Sequence, residues 1–407
     1  MRRSLRFSCA LSCAGIAMIA ILGGEALSQD EMAFELLWHQ PFREAARAVV
    51  TEDERTFTAG SRDIVIGTGG QRAPFFALRA HDTVSGRLIW EADDTGPLPR
   101  FSGSATSVIV EDGRVCAGAS VQQKSFPFRY VFTVRCYDAV SGNLLWEYQE
   151  SPGAANVLVA RGDWLFAAGA AFEAGSGFFV AELDAVTGEL AWATRASGGR
   201  AQALALRGDR LYAGGDAYVR AYDADTGEMV WEERGPNVRD VTMVGPVLFA
   251  GGDGGVQAFD AVTGETIWSS DIREIRNVRS IVARGQRLFA GTGRDDGLYS
   301  EIAALDSVSG EVVWKSAFDR PVESVALGRR WVYGLSSAGE ASDGALRAFD
   351  PLFGRLVWQD AVAASRVRVA FAPRALDVDG VAVAIATPDA TRVYLREIVT
   401  VSAIEAH

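Results

Sequence analysis

The chain has 407 residues, 48% of them hydrophobic and 23% charged, with 43 glycines and 12 prolines. This composition is that of a globular protein with many tight turns, and it excludes a collagen-like or intrinsically disordered chain. The net charge of −12 argues against a nucleic-acid partner, because clustered lysine and arginine bind a phosphate backbone. Three histidines provide few ligands for histidine-based metal sites.

The first 28 residues have the pattern of a secretory signal peptide. Three arginines stand within residues 1–6, an apolar stretch continues to about Gly23, and small residues occupy positions 26–28. This order predicts cleavage near Ser28 and a periplasmic or secreted mature chain that begins at Gln29. The alternative is an uncleaved membrane anchor. The short apolar stretch disfavours it, so we expect no membrane span after cleavage.

A repeat organises the rest of the chain. Seven segments share the pattern Asp, two residues, Ser or Thr, Gly, three residues and Trp, and Phe353 replaces the hydroxyl residue in the last. The aspartates are Asp82, Asp138, Asp184, Asp223, Asp260, Asp306 and Asp350. The glycines are Gly86, Gly142, Gly188, Gly227, Gly264, Gly310 and Gly354. The tryptophans are Trp90, Trp146, Trp192, Trp231, Trp268, Trp314 and Trp358.

Each repeat is predicted to be a β-hairpin with a defined turn. The Asp side chain and the Ser or Thr hydroxyl can accept backbone N–H groups, and Gly accepts a positive φ. A second hairpin precedes each motif, so one unit has about four strands, the content of a propeller blade. We expect the tryptophans to pack between blades and the aspartates to form turns. Aromatic ligand platforms and catalytic acids are the alternatives.

The two ends of the chain are predicted to complete the ring. Trp38 lies in a segment that resembles a fourth strand without its preceding strands. After Trp358, further strands are predicted at 366–370, 381–386 and 391–395. Joining the Trp38 strand to these three gives an eighth blade and leaves no free sheet edge. The prediction is one all-β, eight-bladed propeller over residues 29–407, and we expect a monomer.

Two cysteines remain outside the signal, Cys116 and Cys136. Aligning the blades places them opposite each other on adjacent strands, where a plain blade has Tyr212 and Ala221. Directly opposed Cα atoms are within disulfide range, and an oxidising compartment permits the bond. We therefore predict a disulfide, with two buried free thiols as the alternative.

The same alignment predicts insertions in the hairpin that joins the second and third strands of a blade. Matching positions are nine residues apart in the fourth and fifth blades but 15 to 20 apart elsewhere, for example 15 from Val65 to Ala80. These hairpin tips should project from one face, which suits recognition. Nearby aromatic residues are predicted interaction residues, with ordinary inward-facing strand positions as the alternative: Phe126, Phe128, Tyr130, Phe75 and Phe76. No residue cluster marks a ligand site in the central channel.

The Asp-x-x-Thr-Gly-x-x-x-Trp repeat resembles that of the PQQ-like, quinoprotein-type β-propellers over nearly all of the mature chain. One branch of this superfamily consists of PQQ-dependent dehydrogenases, and it implies an oxidoreductase that binds PQQ and calcium. Its pattern includes a vicinal Cys-Cys disulfide and often a Cys-x-x-Cys-His haem motif, and this sequence contains neither. No catalytic, cofactor-binding or metal-binding residue is therefore predicted, and PQQ with calcium remains the alternative.

In length, export signal and predicted blade number the chain is also similar to the BamB-type, eight-bladed propeller component of the outer-membrane β-barrel assembly machinery. This resemblance implies a cofactor-free scaffold that binds a membrane partner. The chain lacks a lipidation cysteine at its mature N-terminus, which leaves the partner open. The predicted function is an exported, non-catalytic scaffold for an envelope protein partner. The alternatives are a PQQ-dependent oxidoreductase and a glycan- or peptide-binding module.

Overall fold

Four-stranded sheets make up the whole of the described structure. The computed structural model describes residues 35–41, 46–52, 54–66, 71–93, 101–123, 130–150, 152–171, 177–235, 237–294, 298–328, 330–336, 344–362, 376–378, 382–387 and 390–395. These residues contain 32 β-strands in eight antiparallel sheets. Seven of the sheets are formed by four consecutive strands each, and we call them blades 1 to 7 in chain order.

Blades 1 to 4 contain sixteen of the strands. Blade 1 consists of β2 (Ala46–Glu52), β3 (Arg55–Ile66), β4 (Gln71–Asp82) and β5 (Leu88–Asp93). Blade 2 consists of β6 (Phe101–Glu111), β7 (Arg114–Gln123), β8 (Tyr130–Asp138) and β9 (Leu144–Glu150). Blade 3 consists of β10 (Gly153–Arg161), β11 (Trp164–Ala171), β12 (Gly177–Asp184) and β13 (Leu190–Ala196). Blade 4 consists of β14 (Ala201–Arg207), β15 (Arg210–Gly215), β16 (Tyr218–Asp223) and β17 (Met229–Arg234).

Blades 5 to 7 follow the same plan. Blade 5 consists of β18 (Val238–Val244), β19 (Val247–Gly252), β20 (Gly255–Asp260) and β21 (Thr266–Ser269). Blade 6 consists of β22 (Val278–Arg284), β23 (Arg287–Thr292), β24 (Glu301–Asp306) and β25 (Val312–Ala317). Blade 7 consists of β26 (Val322–Leu327), β27 (Val332–Ser336), β28 (Gly344–Phe349) and β29 (Leu356–Val362).

The remaining sheet joins the two ends of the described chain. Its order is β1 (Glu35–Pro41), β32 (Ala390–Leu395), β31 (Ala382–Thr387) and β30 (Leu376–Val378). Trp38 pairs with Val393 in this sheet. The strand predicted over 366–370 lies outside the described residues, and β30 takes the position next to β31. Strands β30 and β31 contact β2 of blade 1, and β30 contacts β26 of blade 7, so this sheet lies between the first and last blades.

The predicted count of eight blades is therefore corrected to seven. Blades 1 to 7 carry the Asp–Gly–Trp repeat, and their first strands are at least six residues long. The composite sheet lacks the Asp–Gly turn, and its β30 pairs with β31 over only three residues. The chain ends supply strands that close the ring, but they do not supply an eighth copy of the repeat. The prediction of an all-β propeller of the PQQ-like kind is confirmed.

Burial within a blade falls from its middle strands to its outer edge. In blade 4, β15 and β16 are buried along most of their length, whereas β17 is mostly exposed. Glycine at the blade interface allows a close approach. A Cβ on Gly214 would lie 2.5 Å from the Val238 side chain of blade 5. Small residues in the middle strands therefore let neighbouring sheets pack face to face.

Tryptophan and glycine interlock each blade with the next. Trp146 of blade 2 donates Nε1–H to the carbonyl oxygen of Ala185 in blade 3, at 3.0 Å. Its ring covers Gly188, where a Cβ would lie 2.6 Å from the ring. Six tryptophans make this hydrogen bond to the following blade: Trp90, Trp146, Trp192, Trp231, Trp268 and Trp314. Trp358 pairs with Ala348 in blade 7, and the side chain of Trp38 lies outside the described residues.

Replacement of Gly188 by alanine tests this interlock. Gly188 and Gly162 both have positive φ, 77° and 58°, but only Gly188 faces a ring, and a Cβ on Gly162 would meet nothing within 4 Å. Both Gly188→Ala and Gly162→Ala carry the backbone cost of positive φ. We expect Gly188→Ala to lower the free energy of unfolding by about 1–3 kcal/mol more, because the methyl group displaces Trp146. Urea unfolding followed by tryptophan fluorescence measures the difference, and equal losses would contradict the interlock.

Candidate functional site

The first strands of the seven blades surround a central cavity of about 240 Å³. Each strand contributes two or three residues near its start, so the cavity lies on the axis of the ring. Buried pockets on a symmetry axis of this kind are the usual place for a ligand in a propeller or barrel. The chemistry of the cavity depends on which side chains the strands aim inward.

A β-bulge aims one polar side chain from each first strand toward the axis. In blade 4, Ala201 pairs with Gly215 and Ala203 with Gly214, so Gln202 has no partner in the ladder. We call the seven residues skipped in this way the bulge ring: Arg47, Thr106, Asn156, Gln202, Arg239, Arg279 and Glu323. All except Arg47 line the cavity. Because a bulge leaves its extra residue unpaired and turns its side chain, the backbone itself builds this polar ring.

The bulge ring is uncharged in blades 2 to 4. Thr106 donates its hydroxyl to the carbonyl oxygen of Ala155 at 2.6 Å, and Asn156 donates Nδ2–H to that of Ala201 at 2.9 Å. Gln202 donates Nε2–H to Asn237 Oδ1 at 2.9 Å. Each of these bonds reaches the following blade. These three side chains therefore hydrogen-bond each blade to the following one, and their remaining polar atoms line the cavity.

The bulge ring is charged in blades 5 to 7, and its charges are paired. Arg279 Nη1 lies 2.9 and 3.1 Å from the two carboxylate oxygens of Glu323, and these side chains are 11% and 5% exposed. Arg239 donates Nη2–H to Asp253 at 2.9 Å. Asp240, beside Arg239, accepts the backbone N–H of Ile281 at 2.8 Å. The charged half of the cavity thus has little net charge, as buried charges require.

Arg47 completes the ring in blade 1. Burial lowers the pKa of its guanidinium, and its buried Nε has no hydrogen-bond partner among the described residues. The neighbouring Ala48 and Val49 line the cavity.

The cavity lies toward the end of the ring where the second and third strands of each blade are joined, which we call the insertion face. Gln202 donates to Asp216 at 2.6 Å, and both Asp216 and Asp253 stand in these hairpins. The hairpins of blades 4 and 5 are the short ones, with only 216–217 and 253–254 between their strands. We call these four residues the notch. The hairpins of the other blades contain more residues, so the notch has the shortest connections on the insertion face.

The repeat turns lie at the opposite end of the blades. In the first turn, Asp82 Oδ1 accepts the Ser85 hydroxyl and the Ser85 backbone N–H, each at 2.7 Å. These hydrogen bonds lower the pKa of Asp82, and the same arrangement lowers that of Asp138. All seven glycines of the motif have φ between 68° and 80°. The predicted aspartates and glycines therefore form turns and are not brought together at one site.

The predicted disulfide is present between Cys116 and Cys136, which are direct partners on β7 and β8. In the other blades this pair of positions holds an aromatic residue opposite Ala or Glu, for example Phe57 opposite Ala80. The Phe57 ring lies 5.9 Å from that of Trp90, which occupies the same blade. In blade 2 the disulfide takes the place of this aromatic ring beneath Trp146.

The prediction of Phe75 and Phe76 as interaction residues is wrong. Both side chains are fully buried, and the Phe76 ring stacks 6.3 Å from that of Tyr137 in blade 2. The hairpin of blade 1 is longer than predicted, because Ala80 pairs with Phe57 and not with Val65. The extended hairpin packs over the next blade and buries its aromatic residues there.

The aromatic tip of blade 2 is partly described. Tyr130 is 51% exposed at the start of β8, on the insertion face. Phe126 and Phe128 lie outside the described residues. Tyr130 therefore remains a predicted interaction residue with an exposed ring.

Sequence reasoning missed the bulge ring. The expectation that no residue cluster marks the central channel is corrected, since six ring residues line one cavity. A signal was available, because each bulge residue follows an alanine or valine, and a valine, leucine or isoleucine stands two positions after it, as in Ala155-Asn156-Val157-Leu158. That pattern does not reveal the register shift that turns the polar residue inward.

Glu182 is a buried titratable group away from the cavity. It occupies the position opposite Trp192 that holds Ala in blades 1, 4, 5, 6 and 7, and it is 3% exposed. Burial, together with the nearby charge of Asp225, raises the pKa of this carboxyl to about 7. Glu182 therefore takes up a proton in the folded protein near neutral pH, where an ordinary glutamate is ionised.

Two features of other protein classes are absent from the part of the chain that the structure describes. Within those ranges no three His, Cys, Asp or Glu side chains are grouped so that they could hold a metal ion. Nor do these residues include a helix long and apolar enough to cross a membrane.

The blades, the repeat turns and the axial cavity define a β-propeller of the PQQ-like class. A family model described as outer membrane protein assembly factor BamB matches residues 132–250 and 252–398. This match covers well over half of the chain, so the protein belongs to that family. No curated protein matches the sequence.

Solved structures with the same fold have low sequence identity. A computationally designed protein is 17% identical over 90% of this chain and 100% of its own, with a TM-score of 0.68. BamB from Moraxella catarrhalis is 14% identical over 89% and 100%, with a TM-score of 0.61. The quinohemoprotein alcohol dehydrogenase ADHIIG from Pseudomonas putida is 15% identical over 89% and 76%, with a TM-score of 0.64. At these identities the similarity shows the fold alone.

Glu182→Ala tests the buried carboxyl. The folded pKa is about 7 and the ordinary value is 4.5, so both states are protonated below about pH 4.5 and the wild-type protein loses stability as the pH rises through 7. The Glu182→Ala variant lacks this loss of stability, because it has no carboxyl group at this position. Relative to wild type, it should gain up to about 3 kcal/mol of stability between pH 5 and pH 8. Urea unfolding at both pH values measures the change, and the exposed Glu189→Ala is the control. Parallel pH profiles for Glu182→Ala and wild type would contradict the raised pKa.

Proposed function

We propose that this protein is an exported, non-catalytic propeller scaffold that binds a protein partner in the cell envelope. The observation that carries the proposal is membership of the family described as outer membrane protein assembly factor BamB. The signal-like pattern of residues 1–28 and the predicted periplasmic location agree with such a role.

The uneven insertion face supports partner binding. Loops on a rigid scaffold are where recognition residues concentrate, and this face combines long hairpins in five blades with the notch in blades 4 and 5. Tyr130 presents an exposed aromatic ring there, of the type that anchors protein interfaces. The opposite face consists of seven nearly identical turns. The insertion face is therefore the surface that distinguishes this propeller from others with the same repeat.

Site-specific photo-crosslinking in the native envelope tests the scaffold function. Tyr130→benzoylphenylalanine places the probe on the insertion face, and Val262→benzoylphenylalanine, at a residue that is 73% exposed in a repeat turn, is the matched control. We expect a discrete adduct with an envelope protein at Tyr130 and none at Val262. Absence of any discrete adduct from either face in folded protein would contradict the scaffold proposal.

The alternative function, a PQQ-dependent oxidoreductase, fits the cavity poorly. PQQ is a planar quinone with three carboxylates, so it needs uncompensated cationic groups or a bound cation beside it. The two arginines that line the cavity, Arg239 and Arg279, are already paired with Asp253 and Glu323. The residues present do not match this ligand, and we derive no reaction step through it.

Calorimetric titration with PQQ and calcium distinguishes the two functions. Because the cavity is charge-compensated, we expect only heats of dilution from a sample whose thermal unfolding shows it to be folded. Saturable binding at one site per chain would contradict the non-catalytic proposal and would call for assays with alcohol and sugar substrates.

A further inference from the structure

We propose that the axial cavity is the pocket of this scaffold for its partner, and that it binds an extended polypeptide segment that inserts one uncharged, apolar side chain. The inference rests on the proposed scaffold function and identifies the site and the chemistry of the partner segment. Four observations carry it: the apolar wall in blades 1 to 4, the unused polar atoms, the paired arginines and the short hairpins of the notch.

The apolar part of the lining lies in blades 1 to 4, whereas blades 5 to 7 contribute only polar and charged residues. Asn156 and Gln202 stand at the bulge, nearest the insertion face, and Val157 and Leu204 follow one or two positions deeper. Val108 of blade 2 holds the same position after its bulge as Leu204 and is 9% exposed. A pocket with an apolar wall on one side and hydrogen-bonding groups beside it fits an apolar side chain that is carried on a hydrogen-bonding backbone.

The polar rim has atoms left over for a ligand. Among the described residues, Asn156 makes one hydrogen bond, from Nδ2, which leaves Oδ1 and a second N–H. Gln202 uses both N–H groups on Asp216 and Asn237, which leaves Oε1 as an acceptor. Together these atoms supply acceptors for backbone N–H groups and donors for backbone carbonyls.

The charge of the cavity disfavours an anionic ligand. Arg279 and Glu323 form a buried pair, and Arg239 is paired with Asp253, so neither arginine of the lining offers an unpaired positive charge to an anion. The residues that line the cavity in the described structure include no aromatic ring, whereas a sugar-binding site generally offers one for stacking. These two features favour a neutral peptide segment over an anionic cofactor or a glycan.

Access and size agree with a short segment of chain. The notch lies beside Gln202, and its aspartates, Asp216 and Asp253, are 38% and 42% exposed at their side chains. A cavity of about 240 Å³ corresponds to about eight water molecules. It therefore admits one side chain with its flanking backbone, and not a folded surface.

A phage-displayed library of random heptapeptides, selected on the purified protein, tests the inference. We expect enriched peptides to share one uncharged apolar residue. The best peptide, synthesised with acetyl and amide caps, should lose at least about tenfold in affinity when that residue is changed to serine, because its transfer to the pocket contributes more than about 1.4 kcal/mol. Calorimetry gives the dissociation constants.

Three variants locate the binding site. Asn156→Leu removes a polar side chain from the rim of the cavity, and Leu204→Ala removes part of its apolar wall. Asn143→Leu, at an exposed turn residue on the opposite face, is the matched control. We expect the first two variants to lower the affinity for the peptide by about tenfold or more, and the control to leave this affinity unchanged. Thermal unfolding verifies that each variant is folded.

Several outcomes would overturn the inference. They are the absence of any enriched peptide, peptide binding that is insensitive to both cavity variants, and displacement of the peptide by maltoheptaose, which would indicate a glycan site. If peptide binding is insensitive to both cavity variants while Tyr130 still gives a crosslinked partner, the cavity is not the binding site and the scaffold function stands. If the peptide binds in the cavity but no envelope partner is crosslinked, the scaffold function is wrong.

Discussion

The stacking of a tryptophan on the glycine of the next blade is the contact on which the ring depends. A single blade cannot bury both faces of its sheet, so its stability comes from its neighbours. Gly188 meets two demands at once, since its turn requires a positive φ of 77° and the Trp146 ring leaves no room for a Cβ. The hydrogen bond from Trp146 to Ala185 then fixes the angle between the blades. This double demand explains why Asp, Gly and Trp recur while the intervening positions vary.

The bulge ring follows from the same geometry at the other end of the blade. First strands converge on the axis, and a bulge near the start of each bends the strand and leaves one residue unpaired. An unpaired residue beside a small cavity is most stable when it is polar and finds partners in the next blade, as Thr106 and Asn156 do. The bulge ring is thus a second set of hydrogen bonds between blades, and the cavity forms inside it.

The sequence predicted the parts of the fold that one residue type determines. The Asp–Gly turn requires a positive φ, so the seven hairpins and the pairing of Cys116 with Cys136 followed from alignment. Three features did not follow. The burial of Phe76 depends on the length of a hairpin whose apolar pattern fits more than one register. The bulge depends on a register shift that leaves the composition unchanged. The chain ends join in one sheet as predicted, but this sheet is not an eighth copy of the repeat, because the ends carry no Asp–Gly turn signal.

The blades share one repeat but differ from one another in the bulge ring and in the hairpins of the insertion face. These differences indicate which part of the protein serves its function. A position shared by all blades, such as the tryptophan, serves the ring as a whole. A difference between blades cannot serve the ring in the same way. The bulge ring is neutral in blades 2 to 4 and charged in blades 5 to 7, and the short hairpins fall in blades 4 and 5, where the two halves meet. An asymmetric lining under an asymmetric rim gives a ligand one orientation, which a symmetric channel cannot provide.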